Sequence, residues 1–123
     1  MPNYECSSWL FYDDAKLNAA ANHHSAHILQ NYNGKGRHVA KIHEVLRDYF
    51  NGTFGGEKLP YGKALHGDVY NGATAIAVYF YKYYQDKYGE DLKNHAGKID
   101  SVCGIKTVRS LDAWHRSRNP FTP

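Results

Sequence analysis

The segment NHHSAHILQNYNGKGRH, residues 22–38, holds four of the eight histidines of the chain together with Lys35 and Arg37. Within it His23 and His27 stand four residues apart, the spacing at which two imidazoles on one helix can reach a single divalent ion. A third ligand would have to come from His43 on the next segment, or from His66 or Asp68 further along. No glutamate follows the first histidine, so the pattern departs from that of metalloprotease helices, and His23 and His27 stand only as candidate metal ligands. His24 falls on the apolar stripe of its helix, as His43 does on the next. The two are expected to face one another as neutral rings, hydrogen-bonded to each other or to a tyrosine, because two charged imidazoles in an apolar seam are costly.

The part HILQNYNGKGR resembles the signature loop of Fic/Doc nucleotide transferases, in which a histidine base is followed six and seven residues later by Asn-Gly and then by a phosphate-holding arginine. His27, Asn33 and Gly34 match that spacing. Leu29, Asn31, Tyr32 and Lys35 depart from it, and Arg37 comes two residues late. The resemblance covers about a tenth of the chain and implies a nucleotide or phosphate-ester enzyme based on His27; an enzyme of that chemistry using His27 or His66, or a histidine-ligated metal protein, is the alternative function.

The turn itself is a candidate anion site without catalysis. Glycines let backbone amides approach a ligand, a helix N-terminus adds partial positive charge, and Lys35, Gly36, Arg37, His38 and Lys41 bring donors and cations to one place. Cys6 together with His66 and Asp68 would be the elements of a thiol nucleophile, but no flanking signature accompanies them. Cys6 and Cys103 match no metal or redox spacing and are expected as buried thiols.

These residues need elements to position them. Leu17, Ala21, His24 and Ile28 repeat at helical spacing after Asp13 or Asp14, predicting a first helix over residues 14–31. Val39, Ile42, His43, Leu46, Tyr49 and Phe50 predict a second over 37–50, closed by Asn51-Gly52. Their short connection predicts an antiparallel αα-hairpin with Ile28 against Val39. Residues 52–72 hold six glycines and one proline and read as a long Gly-rich loop. Residues 73–88, apolar or aromatic nearly all round, predict the central, most enclosed helix, and shorter helices are expected over 91–96 and 107–116. The fold class is therefore mainly α, a single domain of four or five helices in which the hairpin packs on a Tyr-rich helix.

The 123 residues suffice for one core, and 42% hydrophobic content offsets the ordering entropy of a folded chain. The net charge is +3, and all of it falls in residues 104–123, where Lys106, Arg109, Arg116 and Arg118 stand against Asp112. No stretch has the roughly 20 apolar residues that cross a bilayer, and the N-terminus lacks a signal-peptide pattern, so a cytoplasmic protein without membrane contact is expected. Exposed tyrosines among the eleven present, beside arginine, have the composition of interaction surfaces and base-stacking platforms. The function expected is that of a small non-enzymatic binding protein without cofactor. It would engage a nucleic acid or nucleoprotein partner through Lys35–Lys41, through Arg109, Arg116 and Arg118, and through exposed tyrosines.

Overall fold

A computed structural model describes residues 4–51 and 65–118. Among the described residues there are four α-helices, α1 (Ala15–Ala20), α2 (Arg37–Phe50), α3 (Gly72–Lys87) and α4 (Ile105–Arg118), with isolated β-bridges between the connecting segments. The molecule is mainly helical, as its sequence periodicities predict, and none of these helices is long and apolar enough to cross a membrane. Most of the Gly-rich loop lies outside the described residues.

Helix α1 starts where expected, with the Asp14 carboxylate accepting from the Leu17 N–H at 3.0 Å. It ends eleven residues early. The Asn22 side chain donates to the Asn18 carbonyl at 2.8 Å and to the Tyr4 carbonyl at 2.7 Å, while its oxygen accepts from the Tyr4 N–H. An asparagine that bonds the backbone through its side chain offers the chain an alternative to the helical ladder. The N-terminal segment takes that alternative, with Asn18 accepting from the Cys6 N–H at 2.9 Å.

The expected continuous helix over 14–31 is thus replaced by a 3-10 turn at His24–Ala26 and an extended stretch in which Ile28 and Cys103 exchange N–H···O bonds of 2.9 and 2.8 Å. His24 is exposed, while His43 bonds Gly67 and Thr74, so the predicted pairing of His24 with His43 does not form; Ile28 is buried beside Cys103. Instead the chain turns back on itself at Leu29–Tyr32, with Asn31 and Asn33 at φ of 68° and 54°, a region that asparagine tolerates better than most residues. Gly34 follows where a Cβ would stand 2.6 Å from the Leu29 carbonyl oxygen, and only a hydrogen fits there.

Helix α2 has the predicted bounds and buries eight of its 14 residues, against five of 16 in α3, so α2 rather than the Tyr-rich helix is the most enclosed element. It packs on both α3 and α4. The buried Tyr49 ring meets Phe50, Tyr81 and Trp114 edge-on at centroid distances of 5.1, 4.8 and 5.4 Å, tying α2, α3 and α4 at one point. Helix α3 opens on a reciprocal capping box between Asn71 and Thr74. Residues 91–96 are not helical. Asp91 Oδ1 accepts from the Lys93 N–H, and Asn94 Oδ1 accepts from the Ala96 and Lys98 N–H groups, holding the segment in turns.

Asp112 on α4 is fully buried and gathers the N-terminal segment. Its carboxylate accepts from the Tyr4 hydroxyl at 2.7 Å, from the Ser8 N–H at 2.9 Å and from the Ser7 N–H at 3.1 Å.

Candidate functional site

The turn before α2 is held from both sides. Gly36 donates to the Asp68 carbonyl at 2.9 Å and Tyr70 donates to the Gly34 carbonyl at 2.8 Å, so residues 34–36 run antiparallel to 68–70. From the helix side the buried His38 brings Nε2 to the Asn33 carbonyl oxygen; since a carbonyl only accepts, that nitrogen carries the proton. Gly36 caps α2 at a φ of 132°, a conformation that favours glycine.

This assigns the candidate anion-binding residues different places. His38 clamps the turn, and the Gly36 amide is already used by Asp68. Lys41 is bound by Asp13 and Asp14 at 3.3 and 3.2 Å. Lys35 and Arg37 are exposed and have no carboxylate within ion-pair distance among the described residues. Beside them stands Tyr32, 45% exposed, its ring stacked on His27 at 4.8 Å and its hydroxyl donating to the Ser25 carbonyl.

The C-terminal arginines contact the fold. Arg109 Nε donates to the Ala21 carbonyl at 2.8 Å, and its guanidinium lies 4.9 Å from the centre of the Tyr4 ring. Arg116 donates to Ser7 Oγ and lies 3.5 Å from Asp112, and Arg118 covers the Trp114 ring at 4.7 Å. Arg109 and Arg116 are thereby brought to the N-terminal segment rather than to the turn.

The histidine pair does not share a helix. His23 precedes the 3-10 turn and His27 follows it, with His27 Nδ1 donating to the His24 carbonyl at 2.7 Å. Among the described residues no group of three or more His, Cys, Asp or Glu is placed to hold a metal ion. His66 and Asp68 are exposed. Cys6 and Cys103 are buried free thiols. Burial pushes both thiols up to about 12, away from the thiolate that a nucleophile needs, and Cys6 is buried whereas His66 and Asp68 are exposed.

His24 and His27 instead line a cleft of about 400 Å³ with His95, Lys82, Lys93 and Lys106. The turn at 33–37 does not line it, so the Fic-like histidine and its Gly-Lys-Gly-Arg turn do not enclose a common pocket there. Sequence reasoning missed His95 and Lys93, because it placed 91–96 on a helix, and it counted Lys106 only among the C-terminal charges. The polar run DLKNH, rich in residues that bond their own backbone, was the signal for a turn.

A second surface feature belongs to α3. Ile76, Tyr79 and Tyr83, at spacings of three and four, are exposed, and Tyr79, Phe80, Tyr83 and Tyr84 form a chain of ring contacts. The chain matches no known protein family, no curated protein and no solved structure.

Proposed function

We propose that the protein is a non-catalytic binding module that engages a nucleic acid, free or within a nucleoprotein, through the turn before α2. The observation that carries this reading is the grouping of Tyr32, Lys35 and Arg37, all exposed, on a turn held in one conformation by residues 68–70 and by His38. The Arg37 and His38 N–H groups at the start of α2 have no acceptor among the described residues, which leaves them open to a phosphate oxygen. Cations and amides there address the backbone, and a tyrosine ring offers a face on which a base stacks, a combination indifferent to base identity. Lys41 contributes less because Asp13 and Asp14 offset its charge. Arg109 and Arg116 are engaged by the N-terminal segment and by Asp112, and Arg118 by the Trp114 ring, so they contribute less than the turn.

Fluorescence anisotropy with a labelled single-stranded oligonucleotide tests the reading. Two phosphate contacts predict a log–log salt slope of about −1.4. Reversing charge in the K35E/R37E variant should flatten that slope and weaken binding about tenfold or more. A flat salt response of the unaltered protein refutes the proposal. Tyr32→Ser should weaken binding, while the pair Y79S/Y83S should not; the reverse result moves the contact surface to α3.

A further inference from the structure

We propose that the cleft formed by the 3-10 turn, residues 92–102 and the start of α4 is a separate binding site for a small phosphomonoester of mononucleotide size. Its volume, about 400 Å³, lies in the range of small-molecule sites and is far more than a bare phosphate fills. Leu92, Val102 and Ile105 supply apolar lining, and His24, His27 and His95 place rings at its rim, with His24 and His95 edge-on at 6.1 Å.

One end of the cleft is rich in donors. Lys82 reaches it from α3 with a side chain only 5% exposed, and its ammonium bonds Asp100 at 2.6 Å and the Val102 carbonyl. An ammonium has three protons, and the third has no partner among the described residues. An anionic oxygen in the cleft would accept that proton.

Helix α4 opens onto the same space. Gly104 has no side chain to cap it, and the Ile105, Lys106 and Thr107 N–H groups have no acceptor among the described residues. Lys93 and Lys106 complete the set. Their carboxylate partners, Asp86 at 2.5 Å and Asp91 at 3.6 Å, lie outside the lining, and both Lys106 and Asp91 are largely solvent-exposed. An exposed pair of that length is weak, so Lys106 can turn to a ligand at little cost. Asp100 is the one carboxylate in the lining, and it is already engaged by Lys82, Asn94 and the Val102 N–H. Each lysine has a carboxylate partner, so the donors open to a ligand, besides that Lys82 proton, are the α4 N–H groups and Lys106 once it turns from Asp91; these suit the oxygens of a phosphoryl group, while the apolar part holds an attached planar body.

Isothermal titration with adenosine monophosphate, inorganic phosphate and adenosine tests this. Saturable binding of the monophosphate is expected, with adenosine weaker by about tenfold or more and inorganic phosphate acting as a competitor. The surface variant K106Q/H95Q, checked for an unchanged melting transition, should lose about tenfold in affinity. K35E/R37E should leave this binding intact, which separates the cleft from the turn. The absence of saturable binding at millimolar monophosphate, equal affinity for adenosine, or an unchanged constant in K106Q/H95Q overturns the assignment.

Discussion

At the scale of single residues, His43 shows how burial determines protonation. The Gly67 carbonyl oxygen lies 3.0 Å from Nδ1, so that nitrogen carries the proton, and Nε2 accepts from the Thr74 hydroxyl at 2.8 Å. The ring is neutral with both nitrogens satisfied. Burial lowers its pKa first; Arg47 and His66 lower it further, while the Gly67 hydrogen bond and Asp68 oppose them. His115, packed on Trp9, is lowered by burial in the same direction, with Glu44, Asp48 and Asp112 opposing. In both cases the unfolded chain takes up a proton below about pH 6.5 that the folded chain refuses. Stability should be full above that value and should fall as pH drops from it toward the lower folded-state values. Urea midpoints measured between pH 7.5 and 5 check this. His43→Gln should cost about 1 kcal/mol near neutrality through poorer hydrogen bonding and make the acid slope shallower. Such a pairing of His43 with Thr74 was not visible in the sequence, where helical spacing pointed to His24. A residue 31 positions away becomes the partner only when α3 packs on α2.

At the scale of elements, helices with a strong apolar period were legible to within a residue or two, and elements broken by side-chain-to-backbone bonds were not. Residues 37–50 carry a clean stripe and a glycine at each end, and α2 has those bounds. Residues 14–31 carry a similar stripe, but Asn18 and Asn22 sit in it four residues apart, and each bonds both the helix and the N-terminal segment. Periodicity records what a helix would bury; it does not record a second strand of chain competing for the same polar groups. The Leu29–Gly36 turn depends on the absence of a side chain at Gly34. Gly34→Ala places a methyl 2.6 Å from a backbone oxygen, which cannot move aside as a flexible side chain would. A loss of about 1–3 kcal/mol is expected in chemical denaturation, with oligonucleotide affinity reduced as Lys35 and Arg37 lose their placement.

At the scale of the whole molecule, the two ends of the described chain are joined through one buried carboxylate. Asp112 accepts from Tyr4, Ser7 and Ser8 across more than 100 positions of sequence, and Arg116 lies over the same group. Asp112→Ala leaves the buried Ser8 N–H without its acceptor and should cost about 3 kcal/mol in urea denaturation. Asp112→Asn, which keeps one acceptor oxygen, should cost less. Sequence reading counted Asp112 only as the lone acid in a basic segment, since charge totals carry no information about burial.

Composition and local periodicity alone determined that this chain is mainly helical, where α2 and α3 lie, and that Lys35 and Arg37 stand at a helix start. Those properties depend on residues a few positions apart, for which backbone geometry alone specifies the neighbours. Tertiary structure alone decided that His24 leaves the core, that His38 and Lys41 are occupied, that Arg109 and Arg116 bind the N-terminal segment, and that His24, His27 and His95 meet three lysines in one cleft. Each of these depends on contacts between distant segments, where competition for buried hydrogen-bond partners, rather than spacing along the chain, selects the pairing.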